Sequence, residues 1–195
     1  MKMIINASNI WIGGMLQVAF SFIHELRYFP EHEYHVFISP ELERQIKIDK
    51  FPSNFRFYSF IRYAGYSAPI MMKWMRIKKL GRLKLLENVI KPDVVFSVFG
   101  PTFWKPTAPH VAGFSTPHFV YPESPYFREI SLAHRLKQNI FGRIRLTLMI
   151  RNIDFLIAET EDVKNRLINY LKVDEHRVFH ISNTLNGIYN DPEKW

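Results

Sequence analysis

Met3-Ile4-Ile5-Asn6-Ala7-Ser8-Asn9-Ile10-Trp11-Ile12-Gly13-Gly14-Met15-Leu16-Gln17-Val18-Ala19-Phe20 sets the architecture of this 195-residue chain. Met3 to Asn6 is a short apolar run that reads as a buried strand. A loop with paired glycines follows, and then Met15, Val18, Ala19, Phe22, Ile23 and Leu26 recur at helical spacing. Pro30 is expected to stop that helix. The β-branched and aromatic stretch from Tyr34 to Ser39 predicts a second strand, and Pro40 opens a short helix carrying Leu42 and Ile46.

The same alternation continues outward. Phe55 to Ile61 reads as a third strand, and the stretch from Met71 to Ile90 as a long helix interrupted by Gly81 and ended before Pro92. Asp93 to Phe99 is a near-continuous apolar run of the kind buried on both faces of a parallel sheet, and Val111 to Phe114 reads likewise. The Pro-rich and aromatic stretch from Thr116 to Tyr126 reads as an ordered loop before a helix from Ile130 to Arg151. Asp154 to Glu159 predicts a strand, Glu161 to Leu171 a helix, and Val178 to Ile181 a last short strand. The expected fold is α/β: a Rossmann-like three-layer α/β/α sandwich with a mainly parallel sheet. Ligands of such sheets bind at the carboxyl ends of the strands, so the loops after strand one, after Phe99 and after Phe114 are the ones to weigh.

Composition bounds the function. A hydrophobic content of 47% over this length builds one sizeable core, and 15% aromatic residues argue against disorder. Lys and Arg number 26 against 18 Asp and Glu, a formal charge of +8 that favours anionic surroundings. No cysteine is present, so disulfides, thiolate zinc sites and cysteine nucleophiles are excluded. The N-terminus lacks the long apolar region of a secretory signal, and no apolar run reaches membrane-spanning length. The expectation is a cytoplasmic protein, with any contact at the inner face of the membrane peripheral.

Motifs narrow the field. The loop Asn9 to Gly14 has no G-x-G-x-x-G fingerprint, and no phosphate-loop, nucleophile-elbow or nucleic-acid signature occurs in the chain. Gly13 and Gly14 either admit a substrate to the backbone at a helix N-terminus or serve only to turn the chain. His118, directly after a predicted strand, either bonds a sugar hydroxyl or packs among aromatics. The histidines show no metal-ligand spacing, and no metal is expected. Arg135, Lys137, Arg143 and Arg145, interleaved with Leu136, Ile140, Ile144 and Leu148, read either as a membrane-surface helix or as a packed helix with a solvated basic flank. Lys78 and Lys79 on the preceding long helix are further candidates for contact with a membrane or an anionic acceptor.

Three segments together resemble the N-terminal domain of retaining glycosyltransferase family four, built on the GT-B architecture of two facing Rossmann-like domains. Asn9 to Leu26 is similar to that family's first loop and helix. Thr116-Pro117-His118 resembles its strand-end histidine. Phe155 to Thr160 with Val163 to Leu167, followed by Val178 to Gly187, is similar to its late strand and helix and the crossing to the second domain. Ser182 stands where a proline is common, and extra residues separate Asn183 from Gly187.

The resemblance implies a sugar transfer from a nucleoside diphosphate sugar to a glycan or lipid-linked acceptor, with retention and without metal. Residues 1–183 would be the acceptor-side domain, and 184–195 the start of an interdomain linker or a C-terminal tail. His118 would be catalytic, and Gly13, Gly14, Thr116 and Asn183 would bind substrate. The co-substrate would be held mainly by a C-terminal donor domain that this chain is expected to lack, leaving half an active site that is inactive alone. The alternative is a complete acceptor-binding or membrane-recruiting subunit that partners a separate donor-binding protein.

Overall fold

A computed structural model of the protein describes residues 1–60, 69–100, 102, 104–116 and 119–182. The strands are β1 (Lys2–Ala7), β2 (Glu33–Ile38), β3 (Phe55–Ser59), β4 (Val94–Ser97), β5 (His110–Gly113), β6 (Phe155–Ala158) and β7 (Val178–His180). The helices are α1 (Gly14–Glu25), α2 (Pro40–Glu43), α3 (Pro69–Ile90), α4 (Tyr126–Glu129), α5 (Leu132–Asn152) and α6 (Glu161–Asn169). Every strand pair is parallel, in the order β3-β2-β1-β4-β5-β6-β7. The chain runs outward from β1 to β3 and then returns to β4 on the other side of β1. The direction therefore reverses between β1 and β4, the position where such sheets open a crevice for a ligand.

Alternation along the strands sorts the core into two layers. Ile5, Ala7, Val36 and Ile38 look toward α1 and α2, where Ala19, Ile23 and Leu42 meet them. Ile4, Phe37 and Val95 look the other way, onto Leu83 and Ile90 of α3. Ala112, Leu156 and Val178 take Leu146 and Met149 of α5, and Val163 and Leu167 of α6. Because Ile4 pairs with Val95, Val95 with His110, and Ala112 with Leu156, α3, α5 and α6 all lie on one face of the sheet, with α1 and α2 on the other. This is the expected three-layer sandwich, with a sheet that is wholly parallel.

Some boundaries differ from the sequence expectation. α3 runs through Gly81 without a break. That glycine lies on the exposed side with open space where a Cβ would stand, so its cost of about 1 kcal/mol is outweighed by the buried row from Leu83 to Ile90. α1 ends at Glu25 and tightens into a 3-10 turn over Leu26–Tyr28 before Pro30 is reached. The loop after β5 gives way to α4 at Tyr126.

Two local signals explain helix starts. Ser39 caps α2 by accepting the Leu42 amide at 3.2 Å, and Thr160 caps α6 by accepting the Val163 amide at 3.2 Å. α1 starts differently. Gly13 takes φ 69° and ψ −157°, a conformation open almost only to glycine, and no side chain caps the helix.

Candidate active site

Four post-strand loops meet at the carboxyl edge of the sheet around a cavity of about 560 Å³. Gly14, Met15 and Val18 come from the start of α1, Phe99 follows β4, and Phe114 and Ser115 follow β5. Tyr121 comes from farther along the loop after β5, and Glu159, Thr160 and Val163 from the β6–α6 junction. The three loops singled out in the sequence are all present. The fourth, at Glu159 and Thr160, became visible only when the strand order placed β6 beside β5.

The loops are tied to one another. Asn9 Nδ2 donates to the Phe99 carbonyl at 3.0 Å, joining the loops on either side of the crevice. Ser115 Oγ donates to the Gly100 carbonyl at 2.8 Å. Gly113 fits here because a Cβ would stand 2.3 Å from the Val98 carbonyl oxygen. Lys79 of α3 braces the first loop from behind, its amine donating to the Ser8 carbonyl at 2.8 Å and lying 5.4 Å from the Trp11 ring centre. Burial lowers that amine to about 8.

On the far wall Tyr121 donates its hydroxyl to Asp162, which holds that carboxyl below its ordinary range and raises the phenol. The Arg166 guanidinium stacks 4.1 Å from the Tyr121 ring centre and reaches Glu123 at 2.6 Å, Asp162 at 3.0 Å and the Val120 carbonyl at 3.1 Å. This clasp holds residues 119–125 against α6.

The two helix N-termini at the cavity are not equivalent. α6 is capped by Thr160 and carries Glu161 and Asp162 in its first turn, so its positive end is already answered. α1 has neither a side-chain cap nor an acidic residue in its first turn, and Gly14 faces the cavity, so its first amides are the ones available to an anion or a hydroxyl. Glu159 adds a half-buried carboxylate that can accept hydroxyl protons. Phe99, Phe114 and Tyr121 add aromatic rings to the lining. The whole suits a polyhydroxylated ligand.

The family model described as Glycosyltransferase Family 4 matches residues 12–186. The chain belongs to glycosyltransferase family 4. No curated protein sequence matches it. Among solved structures, a glycosyltransferase from Rickettsia africae ESF-5 superimposes with a TM-score of 0.58 at 14% identity, over 100% of this chain and 46% of that one. A UDP-N-acetylglucosamine 2-epimerase gives 0.56 at 15% identity, over 93% and 47%. A lipopolysaccharide outer core galactosyltransferase gives 0.52 at 12%, over 95% and 46%. At these identities the likeness is one of fold. This family 4 chain spans about half the length of the structures it matches.

The residues expected at the site fall out as follows. Gly14 lines the cavity, and Gly13 supplies the turn that aims α1 at it. Thr116 is half-buried in the loop after β5, its carbonyl accepting the Phe119 amide at 3.1 Å. His118 and Asn183 lie outside the described residues, as do residues 184–195. Lys78 and Arg135 are exposed. Lys137, Arg143 and Arg145 lie on α5, and their side chains are outside the described set. Lys79 is turned inward, onto Ser8. Ser115, Tyr121 and Glu159 carried no site role in the sequence reading. Ser115 and Glu159 closely follow strand ends and Tyr121 lies farther along the loop after β5, and only the joining of β5, β6 and that loop brings them together.

Proposed function

We propose that this family 4 domain holds the acceptor of a sugar transfer, and that a second domain brings the nucleoside diphosphate sugar across the cavity. The observation that carries this is the cavity itself: post-strand loops locked together around the uncapped start of α1, beside a carboxylate and three aromatic residues. In this reading Gly13 and Gly14 bring backbone amides to the ligand, Glu159 and Thr116 orient acceptor hydroxyls, and His118 stands beside the transferred sugar, with Asn183 at the crossing to the second domain. Transfer proceeds with retention at the anomeric carbon, without a metal, on a glycan or lipid-linked acceptor. Because such chemistry depends on closing two domains around the donor, this chain alone is inactive.

The test is steady-state kinetics of Glu159→Gln in the enzyme carrying both domains. Loss of a charge-assisted hydrogen bond to the acceptor is expected to raise the KM for acceptor about tenfold and leave the KM for donor in place. A change confined to the donor KM would assign the cavity to the donor instead. Robust transfer by the 195-residue chain alone would overturn the half-site reading.

A further inference from the structure

The helix layer formed by α3 and α5 has an outer surface of the wrong polarity for water. On α5, Leu146 and Met149 are buried in the core, yet Leu132 at 81% exposure, Leu136 at 62%, Ile140 at 51%, Ile144 at 51% and Leu148 at 39% stay in solvent, the last three on the side opposite the core. These five recur every four residues, so they form one continuous ridge along the helix. On α3 the same spacing leaves Ile77 at 54%, Leu85 at 63% and Val89 at 72%, while Leu83 and Ile90 are buried. A helix that packs one stripe on a sheet ordinarily presents polar side chains on the other. α6, in the same layer, does so with Glu161, Asp162 and Arg166.

Charge on these two helices is one-sided. The α5 sequence holds Arg135, Lys137, Arg143, Arg145 and Arg151 and no Asp or Glu. The α3 sequence holds Lys73, Arg76, Lys78, Lys79, Arg82 and Lys84 against Glu87, and that carboxylate is buried, accepting the Trp104 indole at 3.2 Å and the Ala108 amide at 3.2 Å. No acidic side chain is thus turned outward from either helix among the described residues. A second copy of this surface would bring like charges together. A domain closing over the cavity would meet the carboxyl edge of the sheet, leaving this face open.

We propose that the outer faces of α3 and α5 seat the protein on an anionic lipid bilayer, with Leu136, Ile140 and Ile144 of α5 and Leu85 and Val89 of α3 entering the headgroup boundary. The exposed basic side chains, Lys78, Lys84 and Arg151 among them, meet the lipid phosphates while the apolar ridge supplies insertion. No helix is long and apolar enough to cross the membrane among the described residues, so the association is parallel to the surface. This inference rests on the helix faces and not on the transferase reading.

The experiment is co-sedimentation of the 195-residue chain with vesicles of phosphatidylcholine alone, or of phosphatidylcholine mixed with phosphatidylglycerol. Binding is expected only to the anionic vesicles, weakening as salt rises. The double variant Ile140→Ser with Ile144→Ser, both exposed and so neutral for folding, is expected to bind about tenfold more weakly with an unchanged circular dichroism spectrum. As a second readout, Ile140→Trp should shift its emission to the blue on anionic vesicles. Failure to sediment with anionic vesicles at low salt, or full binding by the double variant, would overturn the proposal. A dimer abolished by the same substitutions would do so too, assigning the ridge to a second copy.

Discussion

A buried chain of polar groups crosses the middle of the sheet, and acid should unfasten it at His110. The ring Nδ1–H donates to the Asn152 carbonyl at 2.7 Å, and Nε2 accepts the Ser97 hydroxyl at 2.8 Å. Ser97 Oγ in turn accepts from Asn6 Nδ2 at 3.1 Å. All three side chains are buried. A second ring proton would face a hydroxyl already committed on both sides, and burial pushes His110 below its ordinary 6.5. With the folded value lowered, the unfolded chain takes up a proton that the folded ring refuses. The contribution is therefore complete above the unfolded value and is lost as the pH falls below it. Going from about pH 7.5 to about pH 5.5 withdraws stability, up to a ceiling of about 1.4 kcal/mol set by protonation of the unfolded ring. Urea unfolding followed by circular dichroism at both pH values, on the parent and on His110→Gln, isolates this amount. The variant should be weaker by about 1–3 kcal/mol near neutrality and should lose less stability than the parent on acidification, by at most about 1.4 kcal/mol. His24 and His35 are held low in the same way, chiefly by burial, and cancel in the comparison. An equal loss in both proteins would refute the assignment.

Two further outcomes test the walls of the cavity. Gly13→Ala forces an L residue to φ 69° and ψ −157° with no neighbour crowding its Cβ, so the expected cost is backbone strain of about 1–3 kcal/mol in the same urea assay; a neutral substitution would mean that the loop has another way to enter α1. Arg166→Ala removes the clasp on residues 119–125, and limited proteolysis there should quicken severalfold with the melting temperature little changed; an unaltered cleavage rate would show that the loop is held by other contacts.

Much of the fold was legible because its signals are local. The apolar run at Met3–Asn6, the glycine pair and the helical spacing from Met15 to Leu26 each depend on neighbours a few residues away, and β1 and α1 stand where they point. Gly81 shows the limit of such reading. Its penalty is local and small, whereas the packing that overrides it comes from β1, β2 and β4, distant in sequence. Gly14 was legible at the cavity for the same reason as α1. Ser115, Tyr121 and Glu159 were not, since nothing in their own neighbourhoods separates them from other loop residues. His110 likewise carries no pattern of its own, and its role depends on Ser97 and Asn152 arriving from other elements.

The order of apolar runs, glycines and prolines determined a parallel α/β sandwich with its ligand edge at the strand ends, because a hydrophobic period of two or of 3.6 residues records which side of each segment must leave water. Which loops share that edge, which helix N-terminus stays uncapped and which apolar ridge stays outside were decided only by tertiary structure. Those properties depend on the order in which seven strands lie side by side, and strand order is a relation between segments that no single segment encodes.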